Sequence, residues 1–345
     1  MLRFLTAGES HGKALIAILE GCPANLALSE ADINPDLLRR QQGVGRGERM
    51  KLEQDKVEIL SGVRKGKTIG SPIALKIPNQ STAFFDKVFT KLRPGHADLA
   101  GALKYNQKDV RNILERASAR ETAIRVAIGA ITKKLLSEFK IKLSSQVVQI
   151  GGVSDEREWK ELIEQSKNKG DSLGGIFEVH VSGVPAGLGS YVHWDRRLDG
   201  NLARAIMAIP AVKGVEIGMG FGVASLPGSQ VHDEILYLKS RGFRHKSNHA
   251  GGLEGGMTNG EPIVIRAAVK PIATLIKPLS SVDLASRKPA KAFVERADVC
   301  AVFPAAVIGE AVAALEVAKA FLEKFGGDSI EDIALALKAY QSRIV

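Results

Sequence analysis

The sequence predicts a mixed α and β fold in one undivided body that carries the mark of an internal duplication. Three observations point there. Strand-like and helix-like stretches interleave along the whole chain. The run Gly183-Val184-Pro185-Ala186-Gly187-Leu188 echoes Gly21-Cys22-Pro23-Ala24-Asn25-Leu26; in both places a strand leads into G-x-P-A-x-L and a helix follows shortly after. No linker or low-complexity segment divides the 345 residues, of which 45% are hydrophobic and 25% charged. That is an ordinary globular composition, long enough for a large core as one big domain or two fused halves.

In chain order, Ala14 to Leu19 is apolar and bounded by glycines, which favours a strand. Ser29-Glu30-Ala31-Asp32 reads as a capping box opening a helix over Ile33 to Arg40. Val57 to Val63 and Ile73 to Ile77 read as strands, with Gly70-Ser71-Pro72 as a turn. Asn79 to Leu92 is polar and irregular, a flap with Phe84, Phe85 and Phe89 on its underside, and Leu99 to Tyr105 is helical. A long helix is expected from Ala119 to Phe139, its apolar positions Ile124, Ala127, Ile128, Ile131, Leu135 and Leu136 at helical spacing, with Ser118 as N-cap and Glu121 closing a capping box. Ile141 to Val153 and Gly175 to Val184 are strand-like, separated by a polar helix from Glu156 to Lys167. Leu198 to Ile209 is helical, Gly214 to Ser225 a glycine-studded strand, and Glu261 to Val269 a strand. Helices from about Ala305 to Phe325 and from Ile330 to Arg343 close the chain.

The composition narrows the chemistry. No apolar run approaches the roughly 20 residues of a membrane span, and Met1 to Thr6 is too short for a signal h-region. Cys22 and Cys300 give neither a disulfide framework nor a metal-ligand spacing, so a reduced, cytoplasmic protein without a metal is expected. The net charge of +10 calls for nucleic acid or a small polyanion as partner. Aromatics at 5% are poor material for a base-stacking surface, which counts against nucleic acid.

Several short motifs carry the candidate chemistry. Gly8-Glu9-Ser10-His11-Gly12 places a histidine between glycines, and histidine titrates in the range that suits proton transfer. The segment also satisfies G-x-S-x-G, yet a nucleophile elbow needs earlier strands to supply its oxyanion loop, and nothing at residue 8 does so. Arg39, Arg40, Arg46 and Arg49 fall within eleven residues interleaved with three glycines, an anion-binding loop without P-loop spacing. Arg93-Pro94-Gly95-His96-Ala97-Asp98 holds a second glycine-flanked histidine. Ser118, with Arg116 and Arg120 beside it at a helix N-terminus, suits a phosphate. Gly218, Gly220 and Gly222 do not make G-x-G-x-x-G, which argues against a Rossmann site.

Taken together these motifs resemble the chorismate synthase family. GESHG, RRQQGVGRGERM, RPGHADLAGALKY, RASARETA, PAVKGVEIG, SNHAGGLEGGMTNGEP, KPIATL and RADVCAV stand in family order over nearly the whole chain. The resemblance implies an α+β fold, a β-α-β sandwich with a central helical layer between antiparallel sheets, internally duplicated. One domain would span 1–345 as two pseudo-repeated halves, approximately 1–140 and 141–345, assembled as a homotetramer. The implied reaction is a 1,4-anti elimination of phosphate and a proton from 5-enolpyruvylshikimate 3-phosphate, giving chorismate in the shikimate pathway of aromatic amino acid biosynthesis. It uses reduced FMN without net redox change.

Residue by residue, the resemblance implies that His11 transfers a proton to the reduced ring and His96 assists the departing phosphate. Asp298 would lie towards the substrate proton that is lost, with Ser10 and Ser118 relaying or orienting these groups. Arg40, Arg46, Arg49, Arg120 and Arg296 match the anion-binding positions, which suits a substrate of about four negative charges. FMN contacts carry over to Arg116, Ala117, Ser118, Pro210, Ala211, Gly255, Lys270, Pro271, Ile272, Ala273, Thr274 and Arg296. Some members reduce the flavin with NADPH themselves, which would meet Arg40 and Arg46, and others rely on a separate flavin reductase. The chain departs from the family at Ala297 and Val299, where many members carry RHDPC, at Pro210 in place of Asn, and at Phe303.

Overall fold

The computed structural model describes residues 2–46, 54–80, 85–239, 242–295 and 297–344. The first half builds a four-stranded antiparallel sheet from β1 (Arg3–Ala7), β2 (Ala14–Glu20), β3 (Glu58–Ile59) and β6 (Ile73–Pro78), in the order β1-β2-β6-β3. Between β3 and β6 lies a small hairpin, β4 (Val63–Arg64) with β5 (Lys67–Thr68). The second half repeats the plan. Strands β7 (Lys142–Ile150), β8 (Gly175–Ser182), β9 (Val212–Ile217) and β14 (Ile263–Val269) lie in the order β7-β8-β14-β9. Hairpins β10 (Ile235–Leu238) with β11 (Gly242–His245) and β12 (Leu253–Glu254) with β13 (Met257–Thr258) fall between β9 and β14.

Helices lie between these sheets because each sheet is apolar on one face. Leu15, Ala17 and Leu19 on β2, Ile73, Leu75 and Ile77 on β6, and Phe177, Val179 and Val181 on β8 are fully buried, at every second position. Against them pack α4 (Thr122–Glu138) on the first sheet and α8 (Val302–Phe325) on the second, and α4 and α8 pack on each other. Helix α8 is buried on nearly every side, as an apolar helix enclosed by a core must be. The two helices meet at Gly129, where a Cβ would stand 2.3 Å from that of Ala311. Helix α1 (Glu30–Gln41) leans on α4 and α8, and α6 (Leu198–Met207) on α8. The remaining helices are α2 (Asp98–Tyr105), α3 (Arg111–Ala117), α5 (Glu156–Asn168), α7 (Gly228–Val231) and α9 (Ile330–Ile344).

The G-x-P-A-x-L echo has an atomic counterpart. The Thr68 hydroxyl donates to Pro23 O at 2.6 Å and accepts from Leu26 N–H at 2.9 Å. The Thr258 hydroxyl donates to Pro185 O at 2.7 Å and accepts from Leu188 N–H at 2.8 Å. Each threonine ends the second strand of a small hairpin and pins the turn that leaves the second strand of its sheet.

Three expected elements come out differently. The strand over Val57 to Val63 breaks at Gly62, whose φ of +85° turns the chain, leaving β3 and β4. The strand over Gly214 to Ser225 ends at Ile217, because Gly218 and Gly220 take φ of +59° and +55° and a 3-10 turn follows. The helix expected from Ala119 begins as a 3-10 turn over Ala119–Glu121. Ser118 accepts from Arg120 N–H, and Glu121 pairs with Arg125 rather than closing a capping box. The box at Ser29 and Asp32 forms as expected.

Candidate active site

Residues 8 to 13 connect β1 to β2 as a tight turn. Gly8 takes φ of +106°, and a Cβ there would meet Ala14 O at 2.3 Å, so the turn needs glycine. Asn79, just after β6, clamps it. Its amide donates to Glu9 O at 2.9 Å and Gly12 O at 2.8 Å. His11, 3% exposed, donates its main-chain N–H to Glu115 Oε2 at 2.6 Å, and its Nδ1 lies 2.8 Å from Glu115 Oε1. Glu115 sits on α3, where Arg111 donates to Oε1 at 3.1 Å. Burial pushes the Glu115 carboxyl up, and the hydrogen bonds from His11 and Arg111 outweigh this and hold it below the usual carboxylate range. Ser10, also buried, donates its N–H to Glu115 O at 2.8 Å.

A cluster of buried guanidinium groups lies on the other side of Asn79. Arg120 donates to Asn79 Oδ1 at 3.0 Å and to Asp55 Oδ1 at 2.5 Å. Arg40, in the last turn of α1, donates to Asp55 Oδ2 at 3.3 Å, Thr122 Oγ1 at 3.1 Å and Ala119 O at 3.2 Å. Arg46 pairs with Asp298. Burial pushes Arg40 down to about 10, with Asp55 opposing and the neighbouring charges of Arg120 and Arg46 adding to the shift. Burial lowers Arg46 too, against the pull of Asp298. Three cations thus face two carboxylates, leaving one net positive charge among these groups. The loop carrying Arg46 is held from the second half. Val299 N–H donates to Gly45 O at 2.8 Å, and Phe303 packs where a Cβ on Gly43 would be 2.7 Å away. The family departure at Phe303 therefore has a packing role here.

His96 is backed in the same manner as His11. Its Nδ1 lies 2.5 Å from Asp98 Oδ1, and Arg93 donates to both Asp98 oxygens at 2.8 and 2.9 Å. Burial raises the Asp98 carboxyl, and the bonds from His96 and Arg93 more than reverse this, leaving it well below the ordinary range. Arg93 also donates to Thr274 Oγ1 at 3.2 Å, and Lys270 Nζ donates to Gly95 O at 2.7 Å. The segment 270–274 therefore lies against the His96 turn. Ala211 joins it, since Lys270 N–H donates to Ala211 O at 2.9 Å. Arg116 donates to Gly8 O at 2.9 Å and Thr6 Oγ1 at 2.8 Å, which sets Arg116, Ala117 and Ser118 beside the His11 turn.

Of the residues singled out by sequence, hydrogen bonds running through Glu115, Asn79, Asp55 and Gln41 join His11, Ser10, Arg40, Arg46, Arg120 and Asp298 into one network, with Ser118 next to it. His96, Lys270, Thr274 and Ala211 form a second. Arg111 touches Glu115 and stacks 4.2 Å over Phe89, in the irregular stretch of chain ahead of the His96 turn. Gly255 stands apart in the turn of the β12–β13 hairpin, whose neighbours are Leu188, Leu198 and Arg197. Arg49 and Arg296 lie outside the described residues. Sequence reasoning assigned nothing to Glu115, Asp55 or Asn79. Each is a single polar residue far in sequence from what it holds, and no local pattern signals it.

Among the described residues no His, Cys, Asp and Glu cluster could hold a metal ion, and no helix is long and apolar enough to cross a membrane. A family model described as chorismate synthase matches residues 2–322. The chain is 56% identical over 343 residues to chorismate synthase of Thermoanaerobacter pseudethanolicus, covering 98% of both chains. It is 54% identical to that of Moorella thermoacetica, covering 99% of this chain and 98% of the relative. A crystal structure of chorismate synthase superposes with a TM-score of 0.82 at 46% identity, covering 99% of this chain and 98% of the other.

Proposed function

The chain belongs to the chorismate synthase family of carbon–oxygen lyases, and on that premise we propose that it eliminates phosphate from 5-enolpyruvylshikimate 3-phosphate to give chorismate. The observation that carries the reading is the buried Arg40–Asp55–Arg120 cluster, tied through Asn79 to a histidine turn. A substrate with two carboxylates and a phosphate brings about four negative charges near neutral pH. Arg40, Arg46 and Arg120 bind and orient it, joined by Arg49 and Arg296. His96, protonated, stabilises charge on the departing phosphate. Asp298 lies on the side of the proton that is lost, and Ser10 and Ser118 orient these groups. His11 moves a proton at its ring.

Reduced FMN, when bound, supplies the electron-rich ring that permits the elimination without net redox change. The residues present fit it. Lys270 and Arg116 offer cations, and Ala117, Ala211 and Ala273 leave half-buried surface with little side-chain bulk beside the two histidine turns. Ser118, Pro210, Pro271, Ile272, Thr274 and Gly255 complete the proposed set. Arg40 and Arg46 would hold NADPH if the protein supplied its own reductant; a separate flavin reductase would supply reduced flavin otherwise. Ile235, Tyr237 and Phe243 on the β10–β11 hairpin are 68%, 61% and 69% exposed, an apolar surface that supports burial in a homotetramer. The two halves, about 1–140 and 141–345, act as one domain in the cytoplasm.

Anaerobic protein supplied with reduced FMN and 5-enolpyruvylshikimate 3-phosphate should release chorismate and phosphate in equal amounts. Absence of turnover with FMN shown to be bound would sink the proposal. NADPH as sole reductant then separates self-reduction from dependence on a reductase.

A further inference from the structure

Glu115 is 104 positions from His11 and meets it twice. The main-chain N–H of His11 donates to Oε2 at 2.6 Å, and a main-chain amide can only donate. The ring Nδ1 lies 2.8 Å from Oε1, which also accepts from Arg111 at 3.1 Å. All three side chains are at most 5% exposed. The remaining side-chain nitrogens of Arg111, Nε and Nη2, have no hydrogen-bond partner, so Glu115 is the one group that the Arg111 side chain hydrogen-bonds among the described residues. An ionised carboxylate accepts and never donates. Nδ1 must therefore carry a proton whether the ring is neutral or cationic.

We propose that Glu115 is a positioning residue for the reaction, locking His11 as the Nδ1–H tautomer so that Nε2 is the ring atom that gives and takes the proton. This rests on the proton-transfer reading of His11 given above. Geometry holds the ring as well as the proton. Glu115 O accepts from Ser10 N–H at 2.8 Å, so α3 grips the turn by main chain and side chain together, and a flipped ring would forfeit the Oε1 bond. The carboxylate also stabilises the cationic ring that forms when Nε2 takes a proton, the part a buried carboxylate plays behind a catalytic histidine.

The test uses full-length protein with 15N-labelled histidine, the His11 signals being assigned by their loss in His11→Ala. In the wild type at alkaline pH, Nδ1 should carry the proton and Nε2 should show the shift of an unprotonated ring nitrogen. Arg111→Met with Glu115→Gln removes both buried charges together, so neither is left unpaired. The glutamine carbonyl must then serve the His11 main-chain N–H, which turns its NH2 towards Nδ1 and drives the proton to Nε2. Arg111→Met alone keeps the carboxylate and should keep the Nδ1–H spectrum. The double variant should lose roughly 10²-fold or more in kcat with KM and FMN affinity little changed. A wild-type ring protonated at Nε2 overturns the proposal without any variant. So does a double variant that inverts the tautomer and keeps its kcat. If the wild type shows no turnover, the functional reading fails while the spectrum still decides the tautomer.

Discussion

Replacing Asp55 by asparagine would remove one negative charge from between two buried guanidinium groups while keeping the side chain's shape. Asp55, Arg40 and Arg120 have side chains 1%, 5% and 4% exposed, so water cannot take over the lost interaction. Breaking a buried ion pair by removing one partner costs about 3–5 kcal/mol. An unfolding entropy of about 2.1 cal/mol/K per residue over 345 residues amounts to ~0.7 kcal/mol/K. The melting temperature should therefore fall by roughly 4–7 °C. Calorimetry with and without inorganic phosphate measures the second half of the prediction. The cluster's net charge rises from one to two positive, so an added anion supplies what Asp55 supplied before. Phosphate should raise the melting temperature of the variant more than that of the wild type. Equal or smaller phosphate stabilisation of the variant would refute the view that Asp55 stands in for an anionic ligand.

His11→Ala and His96→Ala should each lower turnover by roughly 10²–10⁴-fold while FMN titrations stay close to wild type; near-normal turnover in either removes that residue from the mechanism. Asp98, Glu115, Asp233 and Glu310 are all held below the ordinary carboxylate range despite burial, by the donors that bond them. The folded chain thus binds fewer protons than the unfolded one. The stability these groups give is complete above about pH 4 and is lost as pH falls through their folded values. Urea midpoints should change little from about pH 7 to 5 and drop steeply below about 4, and a flat profile to lower pH would contradict this. Gly129→Val should cost at least about 1–3 kcal/mol, since even a Cβ would stand 2.3 Å from that of Ala311 and the two central helices must separate. Unchanged urea stability would mean that the helix contact is looser than described.

Much of this fold was legible locally, and most of the site's support was not. The capping box at Ser29 and Asp32 and the strand-like runs that became β2, β8 and β14 are local patterns, and each became the expected element. The misread strands over 57–63 and 214–225 each contain a glycine whose positive φ overrides the β-branched neighbours. His11, His96 and Arg46 could be found because glycine stands beside them, and Arg116 and Arg120 because they flank Ser118 at a helix start. Glu115, Asp55 and Asn79 act across 104, 65 and 41 positions, to His11, Arg120 and Arg120 in turn, and only the folded chain shows those pairings.

The two sheets share one strand order, and the connections within them explain why the chemistry is lopsided. In the first half β1 passes to β2 through residues 8–13, which leaves room for the histidine turn. The matching connection in the second half, from β7 to β8, spans 151–174 and holds α5. That helix does not repeat the site; it braces it. A Cβ on Gly45 would lie 2.9 Å from Ile163 Cγ2, and Trp159 stands edge-on to Phe303 with centroids 6.2 Å apart. Phe303 in turn covers Gly43, so both glycines that bend the chain into Arg46 rest on or behind α5. Gly43 and Gly45 take φ of +120° and +82°, conformations few other residues tolerate. Arg46 then reaches Asp298, just before α8, and the loop's main chain bonds Val299. One half therefore keeps the short turn that carries the histidine. The other has spent the same position in the repeat on a helix that holds the first half's arginine loop against its own aspartate.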